Sequence, residues 1–267
     1  MAIPAATLAS YAPWGNAQLA FEVGSGTATT DPATGNPVQT TETLEYLASL
    51  SLQAPSWKPE SGVDSTVYTC RGRLLSPSTS SRIEVNGHTF RVGPRSFWQS
   101  HRDAPAVLTD AVLGVAGVKP GDTVTDLYAG VGLFSVPLAK ATGRGGRVTA
   151  VESAPWSVAD ARHNVEGAGR VQVRQWDVTA RAVNDAVAPD SIVVVDPPRT
   201  GLGRGVAAAL ARRAPRRLVY VSCDPATFAR DLSALLMGGF ALGDLRAFDL
   251  FPMTEHVELV ARLDFIG

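Results

Sequence analysis

The sequence predicts a doubly wound α/β fold with a seven-stranded sheet, preceded by a small subdomain that contains a β-hairpin. From residue 122 onward, short apolar runs of strand type alternate with segments of helical length, which is typical of a parallel sheet covered by helices. A loop with two glycines, Gly130 and Gly132, follows the first of these runs. Upstream, Asn86 and Gly87 stand between alternating segments at 82–92, and Asn-Gly is the strongest short signal for a hairpin.

The elements of the α/β domain follow from the spacing of its apolar runs. We predict seven strands, at 123–128, 147–151, 171–175, 192–195, 218–221, 245–250 and 256–263. We predict helices between them at 134–141, 157–166, 206–213 and 227–236. Residues 1–40, rich in Ala, Gly, Thr and Pro, predict a loop, and leucines three apart predict a helix at 42–52. The expected domains are a poorly defined segment at 1–66, a hairpin subdomain at 67–95 and the α/β domain at 96–267.

Composition places the chain among ordinary globular proteins. Its 267 residues are 45% hydrophobic, which is enough for a full core. No apolar run approaches the ~18 residues that span a bilayer, and the amino terminus lacks the basic region of a signal peptide, so we expect a cytoplasmic protein; we also expect a monomer. The two cysteines, Cys70 and Cys223, have a spacing that predicts neither a disulfide framework nor a metal or iron–sulfur site.

Charge is distributed unevenly along the chain, although the net charge is −1. Residues 1–64 carry six acidic side chains against one lysine, whereas residues 70–102 carry six arginines against one glutamate. An arginine-rich stretch beside a catalytic domain favours contact with phosphate groups of a nucleic acid. The alternative is an ordinary solvated surface of a protein rich in arginine.

The apolar run at 218–221 delivers Cys223 into a turn. A cysteine at a strand end is a candidate nucleophile, and the alternative is a small buried core residue. If the last strand runs antiparallel beside this one, Glu258 at its start lies at the same sheet edge and is a candidate base. His256 is the rival base, and an exposed strand acid is the alternative for Glu258.

The glycine loop indicates a nucleotide-type cofactor. Gly130 and Gly132 permit a tight turn and close approach of the backbone, and Glu152 ends the second strand at the spacing of an acid that binds ribose hydroxyls. Pro137 stands where a pyrophosphate-binding loop carries a third glycine, so S-adenosylmethionine is favoured, with NAD left open. Asp177, just after the third strand, either binds the adenine amino group or caps a helix.

Two further segments carry candidate contacts. Phe97 and Trp98 either stack a base or pack between two domains, and Gln99 beside them is a ligand candidate. Asp103 is the expected cap of a helix that follows. After the fourth strand come Asp196, two prolines that rigidify the turn, and an arginine suited to a phosphate. The substrate candidates in this turn are Pro197 and Arg199.

Together these motifs resemble the S-adenosylmethionine-dependent RNA 5-methyluridine methyltransferases, the family of tRNA uridine-54 and ribosomal uracil-C5 enzymes. The resemblance covers residue 83 to the carboxyl terminus, through the motifs at 96–99, 126–135, 151–152, 196–201, 222–225 and 251–258. It implies a Rossmann-like methyltransferase sheet, Cys223 as nucleophile and Glu258 as base. It also implies cofactor contacts at Gln99, Tyr128, Leu133, Glu152 and Asp196.

The chain departs from this family in identifiable places. His101 stands where asparagine is usual, Leu133 occupies a position that is asparagine in some members, and the 267 residues show no barrel or four-cysteine iron–sulfur cluster. We expect an RNA partner, tRNA or rRNA, and no membrane. An RNA cytosine-C5 methyltransferase is the nearest alternative, but such enzymes carry a second cysteine where this chain has Pro198 and Arg199. A catalytically silent RNA-binding protein of this fold is the other.

Overall fold

A computed structural model describes residues 80–93, 95–251 and 257–267, together with the backbone of four strands between residues 16 and 74. The strands are β1 Asn16–Thr30, β2 Pro37–Ser51, β3 Thr69–Cys70, β4 Arg73–Leu74, β5 Ser81–Val85, β6 His88–Val92, β7 Thr123–Leu127, β8 Arg147–Glu152, β9 Val171–Gln175, β10 Ile192–Val195, β11 Arg217–Ser222, β12 Phe240–Phe248 and β13 Glu258–Phe265. The helices are α1 Ala104–Ala116, α2 Ser135–Thr142, α3 Pro155–Asn164, α4 Ala180–Ala186, α5 Gly203–Arg213 and α6 Pro225–Met237.

The seven strands predicted from residue 123 onward all form, as β7 to β13, and the α/β fold class is confirmed. The chain divides into two compact units, one made of residues 1–52 and 179–267 and the other of residues 53–178. The first unit contains β10 to β13 with α4 to α6, and the second contains β5 to β9 with α1 to α3.

In the first unit, strand order places two chain segments side by side that are distant in sequence. Strand β11 pairs in parallel with β10 and antiparallel with β13. Every residue of β10 is buried, as are Leu218 to Ser222 of β11, because both are continuous apolar runs covered on two faces. The antiparallel register sets Ser222 opposite Leu259. The predicted antiparallel neighbour of the cysteine-bearing strand is therefore confirmed.

In the second unit, β7, β8 and β9 form a parallel set, so their carboxyl ends meet at one edge. The register pairs Leu127 with Val151 and Glu152 with Gln175. The predicted hairpin also forms, from β5 and β6, with φ of 49° at Asn86 and 74° at Gly87. Positive φ at both turn residues is what a two-residue hairpin loop of type I′ requires.

Two amino-terminal predictions are wrong. Residues 37–51 form strand β2 instead of the expected helix at 42–52, and residues 16–30 form strand β1 within the expected loop. Strand β2 pairs antiparallel with β1 and parallel with β12. The leucine spacing in this segment fits either element type, and the pairing partners, which lie elsewhere in the chain, decide it.

Smaller differences concern helices. The short helix α4 is not among the predicted elements, and Asp103 lies at the amino-terminal cap of α1 without a side-chain capping hydrogen bond. None of the helices in the described part of the chain is long and apolar enough to cross a membrane.

Candidate active site

Cys223 lies directly after β11, in a turn that its two neighbours hold by short-range hydrogen bonds. The Asp224 amide donates to Ser222 Oγ at 3.2 Å, and Ser222 Oγ donates to the Asp224 carbonyl at 3.0 Å. The Asp224 carboxylate then caps α6 by accepting the Thr227 amide at 2.7 Å, as Asp commonly does at a helix start. The strand end and the helix start therefore fix the backbone on both sides of the thiol.

The Cys223 thiol is half-buried, and its environment holds back ionisation. Burial is the largest cause that raises its pKa, and the negative charges of Glu258 and Asp196 raise it further. The positive charge of Arg199 lowers it. Since the thiolate is the nucleophilic form, Arg199 acts in the direction that activates this cysteine.

Glu258, the first residue of β13, is 5% exposed. Burial raises its pKa to about 7, and Arg199 acts against that rise. A carboxyl group that titrates near neutral pH suits a catalytic base, because both of its protonation states are accessible during a reaction cycle. The alternative of an exposed strand acid is wrong for this residue.

The turn after β10 carries the other charged groups of this unit. Asp196 and Arg199 both act electrostatically on Cys223, and Arg199 is exposed whereas Pro197 is buried. The amide of Gly201 closes the turn onto the Pro198 carbonyl at 2.7 Å. One short turn thus supplies both a carboxylate and a cation to the surroundings of the thiol.

The glycine loop of the second unit is tied to the acid that ends β8. The Gly130 amide donates to Glu152 Oε2 at 2.9 Å, while the amides of Ser153 and Ala154 donate to Oε1, each at 2.8 Å. Gly132 has φ of 89°, a left-handed conformation that favours glycine. Glu152 therefore shapes the loop, besides being a candidate ligand for ribose.

Asp126 of β7, the strand that leads into this loop, is fully buried. Ser135 Oγ donates to its Oδ2 at 2.5 Å, and Oδ1 has no hydrogen-bond partner among the described residues. Burial raises the pKa of Asp126 to about 7, opposed by the Ser135 hydrogen bond and reinforced by the charge of Glu152. This acid is not among the predicted site residues.

The other predicted cofactor residues of this unit differ in backbone conformation and in exposure. Tyr128 has a positive φ of 63°, Leu133 is buried and Asp177 is exposed directly after β9. The cap of the following helix α4 is Thr179, whose side chain accepts the Ala182 amide at 3.2 Å. The helix-cap alternative for Asp177 is therefore wrong.

The two aromatic side chains at 97 and 98 have different surroundings. Trp98 packs against Phe90 with ring centroids 5.7 Å apart, whereas Phe97 is 69% exposed. Gln99 is partly buried. His256, the rival base, lies outside the described residues.

The sequence analysis missed a polar cluster that joins the hairpin to α3. Asp160 accepts hydrogen bonds from Arg91 Nε at 2.9 Å, the Gly93 amide at 2.7 Å and Ser96 Oγ at 2.6 Å. Asn164, one turn later, accepts the Arg91 amide at 2.7 Å and donates to the Val131 carbonyl of the glycine loop at 2.9 Å. The signal for this cluster in the sequence is weak: two polar residues, Asp160 and Asn164, stand four positions apart in α3.

This cluster also divides the arginine-rich stretch. Arg91 forms an ion pair with buried Asp160, so it has a structural partner, whereas Arg82 and Arg95 are exposed. The side chains of Arg71 and Arg73 lie outside the described residues. The described part of the chain holds no group of three or more His, Cys, Asp or Glu side chains that could bind a metal ion.

The sequence profile of the tRNA (uracil-5-)-methyltransferase family matches residues 79–264. An uncharacterized RNA methyltransferase of Streptomyces avermitilis is 43% identical over 201 residues, 75% of this chain and 45% of that protein. A second, of Bifidobacterium longum, is 39% identical over 199 residues, 71% of this chain and 46% of that protein. The chain thus spans less than half the length of these relatives.

One solved structure is similar over most of this chain. The crystal structure of Pyrococcus abyssi tRNA (uracil-54, C5)-methyltransferase in complex with S-adenosyl-L-homocysteine is 28% identical, has a TM-score of 0.58, and covers 84% of this chain and 57% of that chain. Because the matched segment covers more than half of the chain and includes both the Cys223 turn and the glycine loop, the chain belongs to the tRNA (uracil-5-)-methyltransferase family.

Proposed function

We propose that this chain carries the catalytic centre of an S-adenosylmethionine-dependent RNA uracil-C5 methyltransferase, which forms 5-methyluridine in tRNA or rRNA. The observation that supports it most is the pair of Cys223 and Glu258 at the adjoining ends of antiparallel strands β11 and β13. Each residue has the chemistry that one half of this reaction requires, a thiol nucleophile and a buried carboxyl group with pKa about 7.

The reaction needs both residues because uracil C5 is too weak a nucleophile to attack a sulfonium methyl group directly. The Cys223 thiolate bonds to C6, which turns C5 into an enolate carbon. Bound S-adenosylmethionine supplies the methyl group that C5 accepts. Glu258 then removes the C5 proton, the C5–C6 double bond re-forms, and the C6–S bond breaks to return the thiolate.

The cofactor fits the residues of the second unit. A carboxylate has about four lone-pair sites, and only the Gly130 amide contacts Glu152 Oε2 among the hydrogen bonds described, which leaves that oxygen able to accept from a ribose hydroxyl. Exposed Asp177 is available to the adenine amino group. The proposed cofactor-binding residues of this unit are Gln99, Tyr128, Gly130, Gly132, Leu133, Glu152 and Asp177.

For the RNA, we propose contacts from exposed Phe97 as a stacking surface and from Arg199 to a phosphate. Pro197 and His256 complete the proposed substrate contacts. Trp98 is the weakest member of the set, because its ring packs on Phe90.

Mapping of 5-methyluridine in cellular RNA tests this function. Cells that lack the gene should lose 5-methyluridine at a defined tRNA or rRNA position, and the full-length gene should restore it. The same gene with Cys223→Ala should fail, whereas Arg212→Ala, an exposed arginine of α5, should succeed. Loss of 5-methylcytidine instead would support the cytosine alternative, and an unchanged RNA together with no S-adenosylmethionine binding would support the silent RNA-binding protein.

A further inference from the structure

Asp231 of α6 is a buried carboxylate that the methyl-transfer steps do not use. It is 3% exposed, and both of its oxygens accept hydrogen bonds. Oδ2 accepts the Leu202 amide at 2.6 Å and the Tyr220 hydroxyl at 2.8 Å. Oδ1 accepts Arg230 Nε at 3.0 Å and Nη2 at 2.8 Å. A buried acid with this many charge-assisted partners is expensive to disturb.

The partners of Asp231 belong to the two segments that carry the candidate chemistry. Leu202 ends the turn at 196–202, which carries Asp196 and Arg199. Tyr220 lies on β11, three residues before Cys223. One carboxylate oxygen therefore bonds simultaneously to the charged turn and to the strand of the nucleophile.

Arg230 adds a second attachment to the same turn. Its Nη2 donates to the Thr200 carbonyl at 2.7 Å while also bonding to Asp231. Between the two attached positions, Gly201 has φ of 74° and approaches Asp231 Oδ2 so closely that a Cβ atom there would collide with it. The turn is thus held by its backbone at residues 200 and 202 and has no room to carry a side chain at 201.

The position of this turn has a chemical consequence. Arg199 is exposed, and its charge favours ionisation of both Cys223 and Glu258. A Coulomb interaction of this kind depends on distance, and the Arg199 side chain extends from the segment that Arg230 and Asp231 hold. A shift of the turn would change both interactions together.

We propose that Arg230 and Asp231 are positioning residues, which hold the 196–202 turn against the strand of Cys223 and so set where Asp196 and Arg199 stand relative to the nucleophile and the base. The proposal rests on the proposed function in treating Cys223 as the nucleophile and Glu258 as the base. The effect of the turn on the ionisation of the Cys223 thiol can be measured without any RNA substrate.

The test is the pH dependence of Cys223 alkylation by iodoacetamide in the protein without RNA, followed by peptide mass spectrometry so that Cys70 is counted separately. Arg199→Ala should slow alkylation at pH 8 by about three- to tenfold, since a tenfold loss of thiolate accompanies each unit of pKa increase. Arg230→Ala should slow it in the same direction, and Arg212→Ala should not. Thermal unfolding of each variant checks that the fold is intact.

The double variant Arg199→Ala with Arg230→Ala separates positioning from a direct effect of charge. If Arg230 acts through the turn, its loss should add less than about twofold once Arg199 is absent, because the two effects then share one route. If Arg230→Ala slows alkylation equally with and without Arg199, or leaves it unchanged, the positioning proposal is wrong.

Asp231→Asn keeps the shape of the side chain, removes the charge that orients Arg230, and should give the same pattern as Arg230→Ala; a wild-type titration in Asp231→Asn would also contradict the proposal. Failure of the wild-type protein to form 5-methyluridine, with these titration shifts present, would remove the proposed function and leave the positioning role standing.

Discussion

The region around Gly130 and Gly132 (the glycine-loop region) and the region around Cys223, the proposed nucleophile (the nucleophile region), each contain a buried aspartate, Asp126 and Asp231 respectively, yet they arrange their functional groups differently. In the glycine-loop region, Glu152, the candidate ribose ligand, accepts hydrogen bonds from three backbone amides. Asn164 of α3 donates a hydrogen bond to the Val131 carbonyl of the loop. In the nucleophile region, Cys223 and Glu258 are instead coupled to each other and to Arg199 by charge. Binding a cofactor requires a fixed backbone, whereas the proposed chemistry requires groups that change protonation near neutral pH.

In the glycine-loop region, loss of Glu152 should strongly reduce cofactor affinity. Glu152→Ala should weaken S-adenosylmethionine binding by about 1.5 to 3 kcal/mol, or roughly 10- to 150-fold, because it removes a charged hydrogen-bond acceptor. It also releases the Gly130 amide, so the effect should fall at the upper end of that range. Isothermal titration calorimetry measures the affinity, with the exposed Glu166→Ala as control. Equal affinities in wild type and Glu152→Ala would move the cofactor site elsewhere.

In the nucleophile region, we expect pH to control the catalytic rate. Glu258 must be ionised to accept a proton, so its titration should contribute a fall in kcat/KM of about tenfold per pH unit as pH drops below about 7. The raised pKa of Cys223 acts in the same direction. Asp126, which also has a pKa of about 7, is the control: Asp126→Asn should keep the acidic limb. Disappearance of the limb in Asp126→Asn would assign it to the glycine-loop region.

RNA affinity should depend on the arginine-rich stretch. Replacing Arg71, Arg73 and Arg82 with alanine should lower affinity for a structured RNA and flatten its salt dependence, by up to about 0.7 to 0.9 in the log–log slope for each phosphate that is no longer neutralised. The matched control is Arg91→Ala, because that side chain bonds to Asp160. Its removal should lower thermal stability and leave the salt dependence of RNA binding nearly unchanged. Filter-binding titrations at several salt concentrations measure both. An unchanged slope in the triple variant would rule out the role of these arginines in binding phosphate.

Asp126 should also make the stability of the protein depend on pH. Asp126 has a native pKa of about 7, above its ordinary value of 3.8, so the native state keeps a proton that the unfolded chain releases. The free energy of unfolding therefore falls as pH rises from about 4 to about 7, and Asp126→Asn should make that fall shallower. Urea unfolding at pH 5 and pH 7 measures it, with Glu258→Gln as the matching change in the nucleophile region. A steeper fall in Asp126→Asn would reverse the assigned sign.

Much of the candidate site could be predicted because its signals are local. The apolar run before Cys223 and the two glycines at 130–132 identify strand ends without knowledge of the fold. The antiparallel placement of Glu258 follows from one topological assumption that the register confirms.

The remainder depends on partners that are far apart in sequence. Asp160 bonds to Arg91, 69 residues earlier, and Asp231 bonds to Leu202, 29 residues earlier, and no periodicity encodes such pairs. The burial that raises the pKa of Glu258 and Asp126 also exists only after the chain has folded. The helix prediction for β2 is wrong for the same reason, since its partners β1 and β12 decide its conformation.

Trapping the covalent intermediate tests whether Cys223 adds to the uracil ring and whether Glu258 removes the C5 proton so that the product can leave. Glu258→Gln keeps the thiol but cannot remove the C5 proton, so incubation with substrate RNA and S-adenosylmethionine should accumulate a protein–RNA band on a denaturing gel. Mass spectrometry should locate a methylated uridine on Cys223, and the double variant with Cys223→Ala should show no band. Normal turnover by Glu258→Gln, together with trapping by His256→Ala, would reassign the base, and continued activity of Cys223→Ala without any adduct would contradict the uracil-C5 mechanism for this protein.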